Sequence, residues 1–445
     1  MTSMCLGRHT SNLPGPNLPL RVERLSIWIW ISEVHLPQLP NQCMAEGWSR
    51  FAVRFSEYYN SLSPDALWTP PRFRSREWMF IPWGDKPPDR HRGFSDRNAL
   101  HSYLRSKAPH SCFHSTAYYA DPSQRKMVDK EWKGADLIFD LDGDHLPGVS
   151  DGDFPSMLEL IQEQAWSLWS DFLSPEFGFD EKYLQVAFSG HRGFHIHLRD
   201  PAYLHLDSNA RRQIVNYIRG EGVNISAVIG NGSGGWRQRV LTGTDGVIEK
   251  LQSIARNGES SKQIVDELDA VMKQRMRSPE VSIKSFSKNK LRKLAESTLD
   301  ESRISRLKQD PSLMVFGENT PAFWELVRGD SSVILGSAGE TDENVTVDVK
   351  RVIRWIGSLH GKCGLRVTQF PLHRLDPDSS DAFDALNESV ALGSTRSFVV
   401  ELLQDDIRAR IQDSELEGST GEVFTVTESL ATFLILKGWA RLLPT

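Results

Sequence analysis

Apolar residues in MAEGWSRFAVRFSEYYNSL recur at helical spacing. Trp48, Phe51, Ala52, Phe55 and Tyr59 share one face, which predicts a helix over residues 44–63. A Pro- and Arg-rich loop (TPPRFRSREW) follows, then the strand-like run WMFIPW, a helix near 96–107 and a second strand-like run, CFHSTAYY (112–119). ADLIFDLDGDH (135–145) sets apolar residues among alternating acids, the mark of a buried strand breaking into a polar loop. Helical period returns over 155–173, where Met157, Leu160, Ile161 and Leu168 supply the apolar side. LQVAFSGHRGFHIHL (184–198) reads as two strands joined by a glycine-containing turn, and 207–220 as another helix. Such alternation predicts an α/β core.

Beyond residue 237 the pattern changes. Up to about residue 330, β-branched runs are scarce and charged helix-formers dominate, as in KSFSKNKLRKLAESTLDESRISRLKQ. Strand-and-helix patterning resumes in VTVDVKRVIRWIGSLHGKCGLRV (345–367), where Asp348 is placed to cap a helix over VKRVIRWI. GEVFTVTESLATFLILKGWARLL (421–443) then closes the chain as a strand and an apolar helix. The expected organisation is a core of mixed sheet in two parts, 44–236 and 331–445, interrupted by a helical insertion over 237–330. Residues 1–43, rich in Pro, Asn and Ser, read as a disordered or non-native extension, with Met44 as a candidate start.

Composition narrows the partners. Across 445 residues, 52 Lys and Arg face 58 Asp and Glu, a net charge of −6, which excludes a protein coated in positive charge. A nucleic-acid surface must then be local. The stretch 271–310, with eleven basic residues against five acidic, is the candidate, and a solvated helix face is its plain alternative. No apolar run approaches the ~20 residues needed to cross a bilayer. The apolar LSIWIWI (25–31) lacks the cleavage site of a secretory signal, and four cysteines without framework spacing suit a cytoplasmic protein.

Three constellations carry candidate chemistry. Asp140 and Asp142 alternate along one strand, so both carboxylates point to one face, where hard oxygen donors suit Mg²⁺ or Mn²⁺. A pair of solvated strand-end acids is the plainer reading. Ser189-Gly190-His191-Arg192-Gly193-Phe194-His195 joins two glycines, which permit close backbone approach, to cationic donors for phosphate oxygens. His195 and His197 share a strand face but lack a third soft ligand for a metal. Ser358-Leu359-His360-Gly361-Lys362 combines a small backbone with His and Lys, fitting either a polyphosphate or an ordinary turn.

In this order, REWMFIPW, the AYY strand, WKGADLIFDLDGDHL, FSGHRGFHIHL, VTVDVKRVIRWIGSLHGKCGL and GEV…ESLATFLILKGWARL resemble the archaeal–eukaryotic DNA primase small catalytic subunit, in its archaeal branch, over roughly 47–443. The resemblance implies an α+β primase fold and de novo synthesis of short primers on single-stranded DNA by two-metal phosphoryl transfer. It implies that Asp140, Asp142 and Asp342, eighteen residues before His360, hold two Mg²⁺ or Mn²⁺ ions. Nucleoside triphosphate contacts fall on Ser189, Arg192, His195, His360 and Lys362, with Glu77 and Arg92 lining the site. A primase large subunit is the implied partner, and no membrane is involved. The chain departs from the family twice. Residues 143–183 hold no cysteine, so no structural zinc is expected, and His191 stands where relatives often carry another basic or small residue. The alternatives are a primase-polymerase acting in repair or on a mobile element, and a haloacid dehalogenase-type phosphatase. For the phosphatase, IFDLDGD resembles the signature IFDLDGT, with Asp144 at the threonine position.

Overall fold

A computed structural model describes residues 44–143, 149–220, 228, 235–277, 281–310, 313–330 and 343–444. Residues 1–43 and Asp342 lie outside the described residues. The first helix spans Met44–Ser61 and buries Phe51, Phe55 and Tyr59, the face its periodicity predicts. Helices Arg97–Lys107, Phe154–Leu168 and Ser208–Arg219 begin behind Asp96, Asp153 and Asp207. Each of these aspartates accepts a backbone N–H of the first turn, satisfying a donor the helix cannot.

Two four-stranded sheets form the centre. One runs Asp89–Arg92, Trp78–Ile81, Ser111–Ser115, Val352–Arg354. The other runs Thr368–Phe370, Leu184–Phe188, Gly193–Leu198, Leu137–Asp142. Every named strand pair is antiparallel, so the fold takes the α+β form. The helix expected over VKRVIRWI is corrected. Val352–Arg354 is a strand against Ser111–Ser115, where β-branched Val352 and Ile353 fit a pleated surface, and Asp348 instead accepts Lys350 N–H at 2.9 Å in a turn.

Strand alternation divides the second sheet cleanly. Leu137, Phe139, Leu141, Phe194, Ile196 and Leu198 pack with Met157, Leu158, Ile161 and Ala165 of helix Phe154–Leu168 in the main core. The other face carries Ile138, Asp140, Asp142, His195 and His197. Ile138 there meets Ile353 of the first sheet, so the polar face looks toward that sheet.

Between 235 and 330 the described residues form α- and 3-10 helices: Gly235–Asn257, Lys262–Arg275, Lys288–Ser297, Glu301–Gln309 and Thr320–Gly329 are the longer ones. Their Leu251, Leu268, Leu291, Leu307 and Phe323 belong to the same core cluster as the acidic strand. Acids neutralise part of the basic stretch through Arg275–Glu325, Lys273–Asp269, Arg303–Asp300 and Lys308–Asp245, while Lys284, Lys290, Arg292, Lys293 and Arg306 are exposed.

A buried ion cluster ties the sheets together. Asp136, wholly buried, accepts Arg76 Nη2 at 2.8 Å, Arg199 Nε at 3.1 Å and the Tyr118 hydroxyl. Arg76 enters the first sheet and Arg199 leaves the second. Arg76 also donates to the Ser115 and Thr116 carbonyls, and Arg211 to those of Asp136 and Ala135. Burial opposes the Asp136 charge, but the two guanidinium groups and the hydroxyl outweigh it and hold the carboxyl below its usual range. Because the folded-state pKa is depressed, this stability is complete above the unfolded value near 4 and is lost as pH falls through the folded value. Asp136→Asn, which strands two buried cations, should cost about 3–5 kcal/mol at pH 7 by denaturant melt, and should flatten the acid limb of stability against pH.

Candidate active site

The acidic strand and its neighbour place Asp140 directly opposite His195, and Asp142 opposite Gly193. His195 Nε2 lies 3.2 Å from Asp140 Oδ1, and Arg192 Nε lies 3.6 Å from Asp142 Oδ1. The Asp142 side chain is 45% exposed and that of Asp140 19%, while His195 is buried. His195 Nδ1 is buried without a hydrogen-bond partner among the described residues.

The turn between the two inner strands is built by glycine and serine. Ser189 Oγ accepts the backbone N–H groups of Gly193 at 3.2 Å and His191 at 3.4 Å. Gly190 has φ +84°, and a Cβ there would press on His360 Cβ and Val367, so the turn seats directly against the SLHGK segment. The Cys363 thiol donates to the Gly190 carbonyl at 2.8 Å, closing the contact. A Cβ on Gly193 would lie 1.9 Å from the Leu141 carbonyl oxygen.

Behind the carboxylates stands a histidine group. The rings of His191 and His360 stack with centroids 4.7 Å apart and planes 17° apart. His360 Nδ1 accepts the Lys362 backbone N–H at 3.2 Å. Burial, reinforced by neighbouring cations, holds both imidazoles well below the usual histidine range, so they are neutral at physiological pH. His110, against which Gly361 packs with no room for a Cβ, is pulled down to about 4 by burial and then by Arg354 and Lys362.

Arg354 is a site residue that the sequence pattern did not single out. Burial lowers its guanidinium to about 10, opposed by Cys363, Asp140 and Asp142, and it stays cationic at neutral pH. Its Nη1 is buried without a hydrogen-bond partner among the described residues, and its plane lies over Phe113 at 4.8 Å. A lone cation inside the apolar VIRWI run was the available signal.

Of the expected residues, the structure brings together Asp140, Asp142, Ser189, Arg192, His195 and His360, with Lys362 beside His360. Asp342 lies outside the described residues. Glu77 and Arg92 sit on the first sheet with partners of their own. Glu77, buried, meets Lys130 Nζ at 2.5 Å and His91 Nδ1 at 2.9 Å. Arg92, on the edge strand, donates to Asp89 at 2.8 Å. His197 accepts from Arg199 at Nδ1 (3.3 Å), as a buried structural histidine would.

The carboxylate pair fits a divalent ion by its chemistry: hard oxygens on one face, open to solvent, with cations set back around them. Among the described residues no group of three or more His, Cys, Asp or Glu is arranged to hold a metal, so a third ligand would come from outside them.

Comparison with known proteins decides the family. The family model for the DNA primase small subunit matches residues 139–371. Over 409 residues the chain is 36% identical to the DNA primase small subunit PriS of Methanothrix thermoacetophila, covering 87% of this chain and 97% of that protein. The chain belongs to the DNA primase small subunit family. PriS of Methanocella arvoryzae is 33% identical over 408 residues (88% and 97%), and that of Haloarcula marismortui 31% over 410 (87% and 96%). The family is the catalytic subunit of primase, a DNA-directed nucleotidyltransferase. Membership removes the phosphatase reading of IFDLDGD, whose strand runs antiparallel to its histidine-bearing neighbour. No helix among the described residues is long and apolar enough to cross a membrane.

The tightest test of this geometry is Gly193→Ala. The added methyl would force the two strands apart beside Asp142, with an expected cost of about 1–3 kcal/mol in a melt and a fall of tenfold or more in primer synthesis.

Proposed function

We propose that the face bearing Asp140 and Asp142 joins nucleotides on a single-stranded DNA template, attaching the 3′-hydroxyl of one to the α-phosphate of the next with release of pyrophosphate. The observation that carries this reading is the register. It sets two carboxylates beside His195 and Arg192, within electrostatic reach of Arg354, so that anion-holding cations surround a cation-holding pair. Asp140 and Asp142 would hold Mg²⁺ or Mn²⁺, with Asp342 as the third ligand implied by the family pattern. Bound divalent ions would supply charge neutralisation at the reacting phosphate and a more acidic attacking hydroxyl.

The chain's own groups do the rest. Asp140 orients His195 through Nε2, and the Ser189 turn fixes the backbone that presents Arg192. Arg192, Arg354 and Lys362 offset the charge that develops on the pyrophosphate as it leaves. Neutral His360, its Nδ1 committed to the Lys362 backbone, must carry its proton on Nε2 and so donates from there. The relatives' name, small subunit, points to a larger partner subunit, and the reaction to a soluble replication setting. The exposed basic residues Lys290, Arg292, Lys293 and Arg306 are the candidate track for template, bound with salt-sensitive affinity.

The test supplies single-stranded template, nucleoside triphosphates and Mg²⁺ or Mn²⁺, and reads dinucleotides and short primers. Asp142→Ala should lose about a hundredfold or more of the product while melting within about 0.5 kcal/mol of the parent, because its side chain is half exposed. Undiminished synthesis by Asp142→Ala would overturn the assignment.

A further inference from the structure

The last helix, Glu428–Leu436, ends at Lys437, whose backbone N–H closes the final turn on the Phe433 carbonyl at 2.9 Å. The side chain does not run out to solvent. It turns back between two aromatic faces, 4.9 Å from the Phe154 centroid and 4.6 Å from that of Trp439, and sets Nζ 3.1 Å from His191 Nε2. An ammonium has donors only, so His191 Nε2 must accept, and the neutral ring then carries its proton on Nδ1. On the ring stacked beneath it, Nδ1 accepts the Lys362 N–H, and the proton is on Nε2.

Each stacked imidazole thus has one nitrogen committed as acceptor and the opposite one left as an N–H donor. Among the described residues, neither His191 Nδ1 nor His360 Nε2 donates to a protein acceptor. Two parallel neutral rings can stack at this distance where two imidazolium ions would repel each other, and two neighbouring N–H donors suit an anion with several oxygens.

We propose that Lys437 is the positioning residue that sets the His191 tautomer, so that His191 adds a second N–H donor beside that of His360 for the terminal phosphates of the nucleoside triphosphate. The C-terminal helix, remote in sequence from both carboxylates, thereby takes part in nucleotide binding. The inference rests on reading this pocket as the triphosphate site, which Lys362→Ala tests separately.

The experiment measures KM for ATP and dATP, kcat and melting temperature for His191→Phe, Lys437→Met, Lys437→Arg and the double variant His191→Phe/Lys437→Met. His191→Phe keeps the stack and loses the donor, and should raise KM about tenfold with kcat within about threefold. Lys437→Met should raise KM about three- to tenfold, Lys437→Arg should restore it to within about twofold, and the double variant should match His191→Phe alone, since Lys437 acts through that ring. An unchanged KM in Lys437→Met, a fall in melting temperature or kcat alone, or fully multiplying effects in the double variant would overturn the proposal. If Lys362→Ala also leaves KM unchanged, the reading of the pocket falls with it. A raised KM in Lys362→Ala beside an unaffected Lys437→Met removes only the positioning role of Lys437.

Discussion

The carboxylate of Asp136 is the joint on which the candidate active site depends. It has no access to water, and its charge is sustained only because Arg76 from one sheet and Arg199 from the other meet on it, with Tyr118 closing the third side. A buried charge satisfied from two directions fixes distance and orientation in a way that apolar packing alone does not, since any slip leaves a desolvated ion without its partner. The acidic strand begins at the next residue, Leu137, and the histidine-bearing strand ends one residue before Arg199. The positions of Asp140 and His195 are therefore measured from this joint along two short, stiff strands.

A second constraint is the economy of charge around the reactive face. Among the described residues, cations around this face are placed singly: Arg192 beside Asp142, Arg354 within electrostatic reach of both carboxylates, Lys437 on His191, and Lys362 close enough to act on both rings. The histidines between them are kept neutral by burial and by those same cations. An all-cationic pocket would repel itself before any nucleotide arrived. Interleaving neutral donors with charged ones would give the proposed site many hydrogen bonds to phosphate with modest self-repulsion.

Much of this was legible in the chain because short-range rules govern it. Alternation in LIFDLD placed both acids on one face, and the glycines of SGHRGFH announced a turn that approaches its neighbours closely. The helices at 44–61, 97–107, 154–168 and 208–219 answer the helical patterns read over 44–63, 96–107, 155–173 and 207–220. What escaped notice is set by long-range register. VKRVIRWI has enough charge and apolar period to suggest a helix, yet pairing with Ser111–Ser115 makes its centre a strand and brings Arg354 within electrostatic reach of Asp140 and Asp142. Lys437 reads as a helix-ending lysine until His191 is found 3.1 Å away across 246 positions. Glu77 carries no local sign that Lys130 and His91 already claim its oxygens.

The described helices between residues 235 and 330 share the apolar core of the acidic strand. Their Leu251, Leu291 and Phe323 are continuous, through Trp236 and Phe172, with the residues packed beneath Phe139 and Leu141, and the described residues form one compact unit. The two regions therefore share a single cooperative melting transition rather than two. Anything that stiffens the helices therefore adds protection against hydrogen exchange to the amides of the carboxylate strand, and stiffening that strand protects the helices in return.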